Sequence, residues 1–169
     1  MNALDHLLGG GADGQLAIYL NDHRAGAEGA EALARRSARS NAGNAVGEYL
    51  GGRFLTELRD DRALLEALRE RLDVPPNPAK QCAARIAELI GRAKLNGAVT
   101  GPTPLGRVLE LEALIAGVVA KRQLWLTATT LPDADAGLFE ERIARADDQL
   151  VRLQELHRWA AGEAFAGSG

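Results

Sequence analysis

The sequence predicts an all-α fold, an up-down bundle of four long helices with a shorter crossover helix between the second and third long ones. Three observations predict it. Apolar residues recur at alternating three- and four-residue steps over long stretches, which places them on one face of a helix. Aromatic residues are few, 3 Phe, 2 Trp and 2 Tyr in 169 residues, so the core must be built from Ala, Leu, Val and Ile, which suits close-packed helices better than a β-sandwich. The periodic stretches are separated by compact stop signals, "NAG", "VPPNP", "GAVTGPTP" and "LPDADAG". The length suits one domain with a sizeable core: a bundle over residues 14–163, with flexible termini at 1–13 and 164–169.

The first helix follows Asp13, a good N-cap, and runs to about Ser40. The second runs from about Asn44 to Asp73 and stops at the prolines of "VPPNP", which remove a donor and clash with the preceding turn. The third, shorter helix covers about Pro78 to Asn96, with Gly97 just beyond its end. Thr103 caps the fourth, with Pro104 at its first position, and that helix reaches about Thr130. Asp133 or Asp135 caps the fifth, which reaches about Glu163.

Composition excludes several classes. The net charge of −3 gives nothing basic enough to track a phosphate backbone, so no nucleic-acid partner is expected. Cys82 is the single cysteine, which rules out an internal disulfide and a thiolate metal cluster; on the apolar face of the third helix it reads as a small core residue. The start has no basic n-region and too short an apolar run for a signal peptide. The most apolar stretch, "LEALIAGVVA", runs into Lys121 and Arg122 and falls far short of the ~20 residues a membrane span needs. A cytoplasmic protein without a membrane partner is the expectation.

Each long helix carries one ionisable residue on its apolar seam. The first reads Leu16, Leu20, His23, Ala27, Ala30, Ala34, and the second Leu50, Phe54, Leu58, Asp61, Leu65, Leu68, Leu72. The fourth reads Leu105, Val108, Glu112, Ile115, Val119, and the fifth Phe139, Ile143, Ala146, Leu150, Leu153, His157, Ala160. In an up-down bundle His23 and Asp61 lie equally far from the turn near Ala42 and should be level; Glu112 should fall within roughly 3–5 Å of them and His157 about one turn (~5 Å) higher. Such a set, His23, Asp61, Glu112 and His157, is how bundles build metal centres, and its donors suit iron, manganese or zinc. Asp22, beside His23 but about 100° away, and Glu57, four residues before Asp61, are further candidates. The competing expectation is a polar network with no cofactor, pairing His23 with Asp61 and Glu112 with Arg122 or Arg152.

Other features point away from catalysis. Ser37 and Ser40 have no histidine at helical spacing to act as base. The "GGG" at 9–11 and "GPTPLG" at 101–106 lack a phosphate-loop lysine and a preceding strand. Trp125 and Trp159 fall near opposite ends of the bundle and read as packing aromatics. Gly26 and Gly29 cost the first helix roughly 1 kcal/mol each relative to alanine, and close approach of a neighbouring helix to this small-residue surface is the expected compensation. The fourth helix, apolar around much of its circumference, is expected to be the central one.

The segments "YLNDHRAGAEGAEALARR", "LRDDRALLEALRERLDVPP", "GRAKLNGAVTGPTPLGRVLELEAL" and "KRQLW", together with the helix order, resemble the ferritin-like superfamily, in an uncharacterised bacterial branch akin to the stress-related YciF type. The likeness spans about Gly14 to His157. It implies a ferritin-like bundle. Diiron members carry Glu on the first and third long helices and Glu-x-x-His on the others. By position, Asp22 or His23 stands for the first Glu, Glu57 and Asp61 for the second motif, Glu112 for the third, and Glu155 with His157 for the fourth. Glu112 alone matches by type, and no Glu-x-x-His occurs. The expectation is therefore a bundle without a complete diiron centre, acting as a binding or interaction protein with a stress-related role and no catalytic residues. Its rivals are a metal-binding or redox protein with a degenerate site, and a structural subunit that forms homo-oligomers or meets a protein partner through helix faces.

Overall fold

The computed structural model describes residues 12–75 and 103–166. The described chain is all-helical, without a strand among the described residues. The helices are α1 (Ala12–Ser40), α2 (Ala45–Tyr49), a wide π turn (Leu50–Phe54), α3 (Leu55–Arg71), α4 (Pro104–Ala128) and α5 (Ala136–Phe165). The predicted helix over 78–96, with Cys82 and the crossover it would make, lies outside the described residues.

The ends follow side-chain chemistry. α1 begins at Ala12, so Asp13 lies within the helix instead of capping it. Asn44 caps α2, its Oδ1 accepting from Val46 N at 2.9 Å and Gly47 N at 3.2 Å. The turn before it includes Gly43 at φ +89°, a left-handed conformation that favours glycine. Thr103 Oγ1 accepts from Gly106 N at 2.9 Å with Pro104 next to it, as the sequence indicates. Of the two aspartates before α5, Asp135 is the cap: its Oδ1 accepts from Leu138 N at 3.1 Å, while Asp133 takes a positive φ. α5 continues to Phe165, past the predicted end.

The second predicted helix is not continuous. It widens at Leu50–Phe54, where Gly52 adopts φ −99°, ψ −106°. Two adjacent glycines, Gly51 and Gly52, leave no side chain to resist the departure, and wide turns of this kind kink helices. Leu50 and Phe54, at the two ends of this wide turn, are both fully buried. At the base of α2 the chains touch closely: a Cβ on Gly47 would stand 2.1 Å from the Asn41 carbonyl oxygen.

Among the described residues, two apolar clusters form the core. One gathers Leu33, Leu50, Phe54, Leu111, Leu114 and Leu153; the other gathers Leu20, Leu65, Leu68, Leu124, Trp125 and Phe139. Trp125 stacks on Phe139 at a centroid distance of 5.8 Å. α4 contributes to both clusters, yet it is not buried all round: Val119 is 43% exposed and Leu126 37%. Its buried residues are Val108, Leu111, Leu114, Val118, Leu124, Trp125 and Ala128, a stripe turned by one residue from the predicted seam through Glu112 and Val119. A helix apolar on most sides offers several equally good stripes, so periodicity alone does not choose among them.

Candidate ligand cavity

The two clusters are separated by a polar layer. On α3 Asp61 lies between Leu58 and Leu65, and on α4 Lys121 lies between Val118 and Leu124. Asp61 is 3% exposed, and its Oδ2 accepts from Lys121 Nζ at 2.6 Å. Its Oδ1 faces Arg142 Nη1 and Arg145 Nη1, each at 3.5 Å. Lys121 Nζ also donates to Gln149 Oε1 at 2.6 Å, and Gln149 Nε2 donates to Glu57 Oε2 at 2.7 Å. Arg53 Nε closes the chain on Glu57 Oε1 at 2.6 Å. Three cations thus converge on one buried carboxylate. Burial lowers the pKa of Lys121, and Arg145 adds to that effect, against the opposing pull of Asp61 and Glu57.

Beside this layer, between α1, α3 and α4, runs a cavity of about 370 Å³. That volume is in the range of small-molecule sites. Small residues make its walls: Gly26, Ala27 and Ala30 from α1, with Ala113, Ala116 and Gly117 from α4. Gly26 therefore borders open space, with nothing within 4 Å of an added Cβ, and not a tightly packed helix as its sequence context suggests. From Asp22 to Leu33 the cavity follows α1 for about 16 Å. One end is apolar, with Leu33, Phe54, Leu58 and Leu114. The rest mixes Asp22, His23, Asp61, Arg62 and Lys121 with the apolar Leu65, Val118, Leu124 and Trp125. His23 is half-buried and packs edge-on against Tyr19 at 4.5 Å. Desolvation lowers its pKa, against the opposing charge of Asp22, which favours a neutral imidazole there. Trp125 is fully buried, and its Nε1 has no hydrogen-bond partner among the described residues.

The sequence-predicted metal ligands divide into separate places. His23 and Asp61 line the same cavity, but Asp61 is engaged by Lys121, Arg142 and Arg145 and not by His23. Glu112 is exposed on α4 and meets His157 on α5, Oε1 to Nε2 at 3.1 Å, instead of Arg122 or Arg152. Nine residues separate Glu112 from Lys121 along α4, or ~13 Å, so Glu112 is not level with Asp61. Asp22 is exposed on the cavity rim, and Glu57 is held by Arg53 and Gln149. Among the described residues no group of three or more His, Cys, Asp or Glu side chains stands where it could hold a metal ion. Arg24, beside His23 in sequence, bridges to Glu66 Oε1 at 2.7 Å and Glu28 Oε1 at 2.9 Å. The residues that sequence reasoning missed are Lys121, Gln149, Arg142 and Arg145. The available signal was Lys121 itself, a charge at three- and four-residue spacing from Val118 and Trp125 inside an apolar helix.

Fold and site together describe a helical bundle with an elongated, partly open cavity whose lining is mainly apolar. No family model, curated protein or solved structure matches the chain. No helix among the described residues is long and apolar enough to cross a membrane.

Proposed function

We propose that this protein is a ligand-binding helical bundle that holds one elongated, mainly apolar small molecule between α1, α3 and α4. The cavity carries the reading: its size suits a small molecule, small residues leave its walls open, and its lining is mainly apolar with a few polar groups away from the Leu33 end. A ligand of matching form has an apolar tail directed toward Phe54 and Leu114 and one polar atom near His23, Lys121 and Trp125. Binding removes apolar surface from water on both sides, which is the main driving force, at roughly 25 cal/mol per Å². The ferritin-like kinship implied by the helix order, without a complete diiron centre, belongs to the same proposal, with binding in place of iron chemistry.

Calorimetric titration with decanol tests it. The expected result is saturable one-to-one binding with a negative heat-capacity change, the mark of buried apolar surface. Gly117→Leu should abolish it, because a Cβ there makes only an ordinary 4.0 Å contact with Ala30, so the larger side chain enters the cavity. Absence of saturable binding by the folded wild-type protein would overturn the reading, including the case in which the protein itself fills the space in solution.

A further inference from the structure

Lys121 is the only lysine among the described residues, where every other cationic side chain of the Lys/Arg type is arginine. It occupies the one position where the difference matters most. Arginine keeps its proton under all ordinary conditions, whereas a lysine ammonium in an apolar site gives its proton up. Arg142 and Arg145 already face Oδ1 of Asp61 at 3.5 Å each. A third fixed charge on the same carboxylate is surplus, and Lys121 is the member of the trio that can become neutral. Its hydrogen bonds permit it. An uncharged amine has two N–H groups, and Lys121 Nζ has two acceptors, Asp61 Oδ2 and Gln149 Oε1, both at 2.6 Å. Both bonds survive loss of the third proton, and the lone pair takes the vacated tetrahedral position. A lysine desolvated in an apolar pocket beside other cations is the environment that makes this side chain a nucleophile.

We propose that Lys121 is the amine of an imine-forming site, and that the ligand class is an apolar aldehyde. This rests on the reading of the cavity as a small-molecule site. The Nζ lone pair adds to the carbonyl carbon, and proton transfer to oxygen gives a carbinolamine. Loss of one water leaves a carbon–nitrogen double bond to Nζ, so aldehyde and amine are converted to imine and water with no change of oxidation state. On protonation the imine is a cation, and Asp61, with 3% exposure, is its counter-ion. Trp125 lies one turn from Lys121 on the same face of α4 and also lines the cavity. The small side chains of Ala113, Ala116 and Gly117 leave room for the tail along the same helix.

The test uses decanal with the full chain, followed by cyanoborohydride reduction, which fixes an imine as a stable secondary amine. Intact mass and peptide mapping locate the label among Lys121, Lys80, Lys94 and the terminal amine. The proposal expects one decyl group per chain, on Lys121. It also expects loss of that adduct in Lys121→Arg, which retains the positive charge beside Asp61, and competition by decanol in the wild-type protein. Decanol binding without decanal labelling of Lys121, or labelling shared evenly among the lysines, overturns the imine site while leaving the cavity reading intact. Failure of both ligands overturns the two together. Mapping on the wild-type protein gives the answer even if Lys121→Arg does not fold.

Discussion

Replacing Asp61 with asparagine removes one charge and almost no volume from the middle of the bundle. Lys121, 12% exposed in its side chain, then loses the counter-ion 2.6 Å away, and Arg142 and Arg145 lose the same carboxylate. Breaking a buried pair from one side costs about 3–5 kcal/mol, because the remaining charge stays desolvated without compensation. That is about a fifth or more of the stability of an ordinary domain, about 5–15 kcal/mol. With a urea dependence of about 2 kcal/mol per molar, the midpoint should fall by roughly 2 M. The assay is urea unfolding followed by helical circular dichroism, at equal slope for the two proteins. Adding Lys121→Met to Asp61→Asn should recover part of the loss, since the most buried of the three stranded cations is then gone while Arg142 and Arg145 remain. A loss below about 1 kcal/mol for Asp61→Asn, the value of a solvent-exposed pair, would refute the placement of this charge in a buried layer.

Three further outcomes follow from other parts of the molecule. Gly47→Ala places a Cβ 2.1 Å from the Asn41 carbonyl oxygen, so the α1–α2 turn must move; a cost of about 3 kcal/mol is expected in the same urea assay, and a neutral result would contradict that close contact. Thr103→Ala removes the acceptor for Gly106 N and should cost about 1 kcal/mol, with Thr103→Ser restoring it. His23 has a folded pKa below its ordinary 6.5, chiefly through burial, so the unfolded chain takes up the proton first as pH falls; stability should decline from about pH 6.5 downward, and more steeply than in His23→Gln. Parallel pH profiles for those two proteins would show that His23 is not desolvated.

What the sequence made legible was local. Caps and breakers act through neighbours a few residues away, so Asn44, Thr103 and the choice between Asp133 and Asp135 narrowed the helix ends well. The seam of the second predicted helix, Leu50 through Leu68 with Asp61 among them, is buried as its periodicity indicates. The α4 stripe was not legible, because Val119 and Leu126 are as apolar as Val118 and Leu124 and only the fold decides which face turns inward. That rotation moves Glu112 outward to His157 and brings Lys121 inward to Asp61. The cavity was hidden for a related reason. Small residues such as Gly26 and Ala27 permit either close helix contact or open space, and the choice depends on the distance between helices, which no single segment encodes. The kink at Gly51-Gly52 leaves the apolar seam intact, so periodicity passes through it unbroken.

The central claim is that one apolar molecule enters the cavity beside Trp125. Fluorescence quenching by a terminally brominated alkanol in Trp159→Phe protein measures it most directly, since Trp125 is then the only tryptophan and lines that space. Saturable quenching at one equivalent, lost in Gly117→Leu, is the predicted result. Quenching that rises linearly with alkanol concentration and is the same in both proteins would contradict the account.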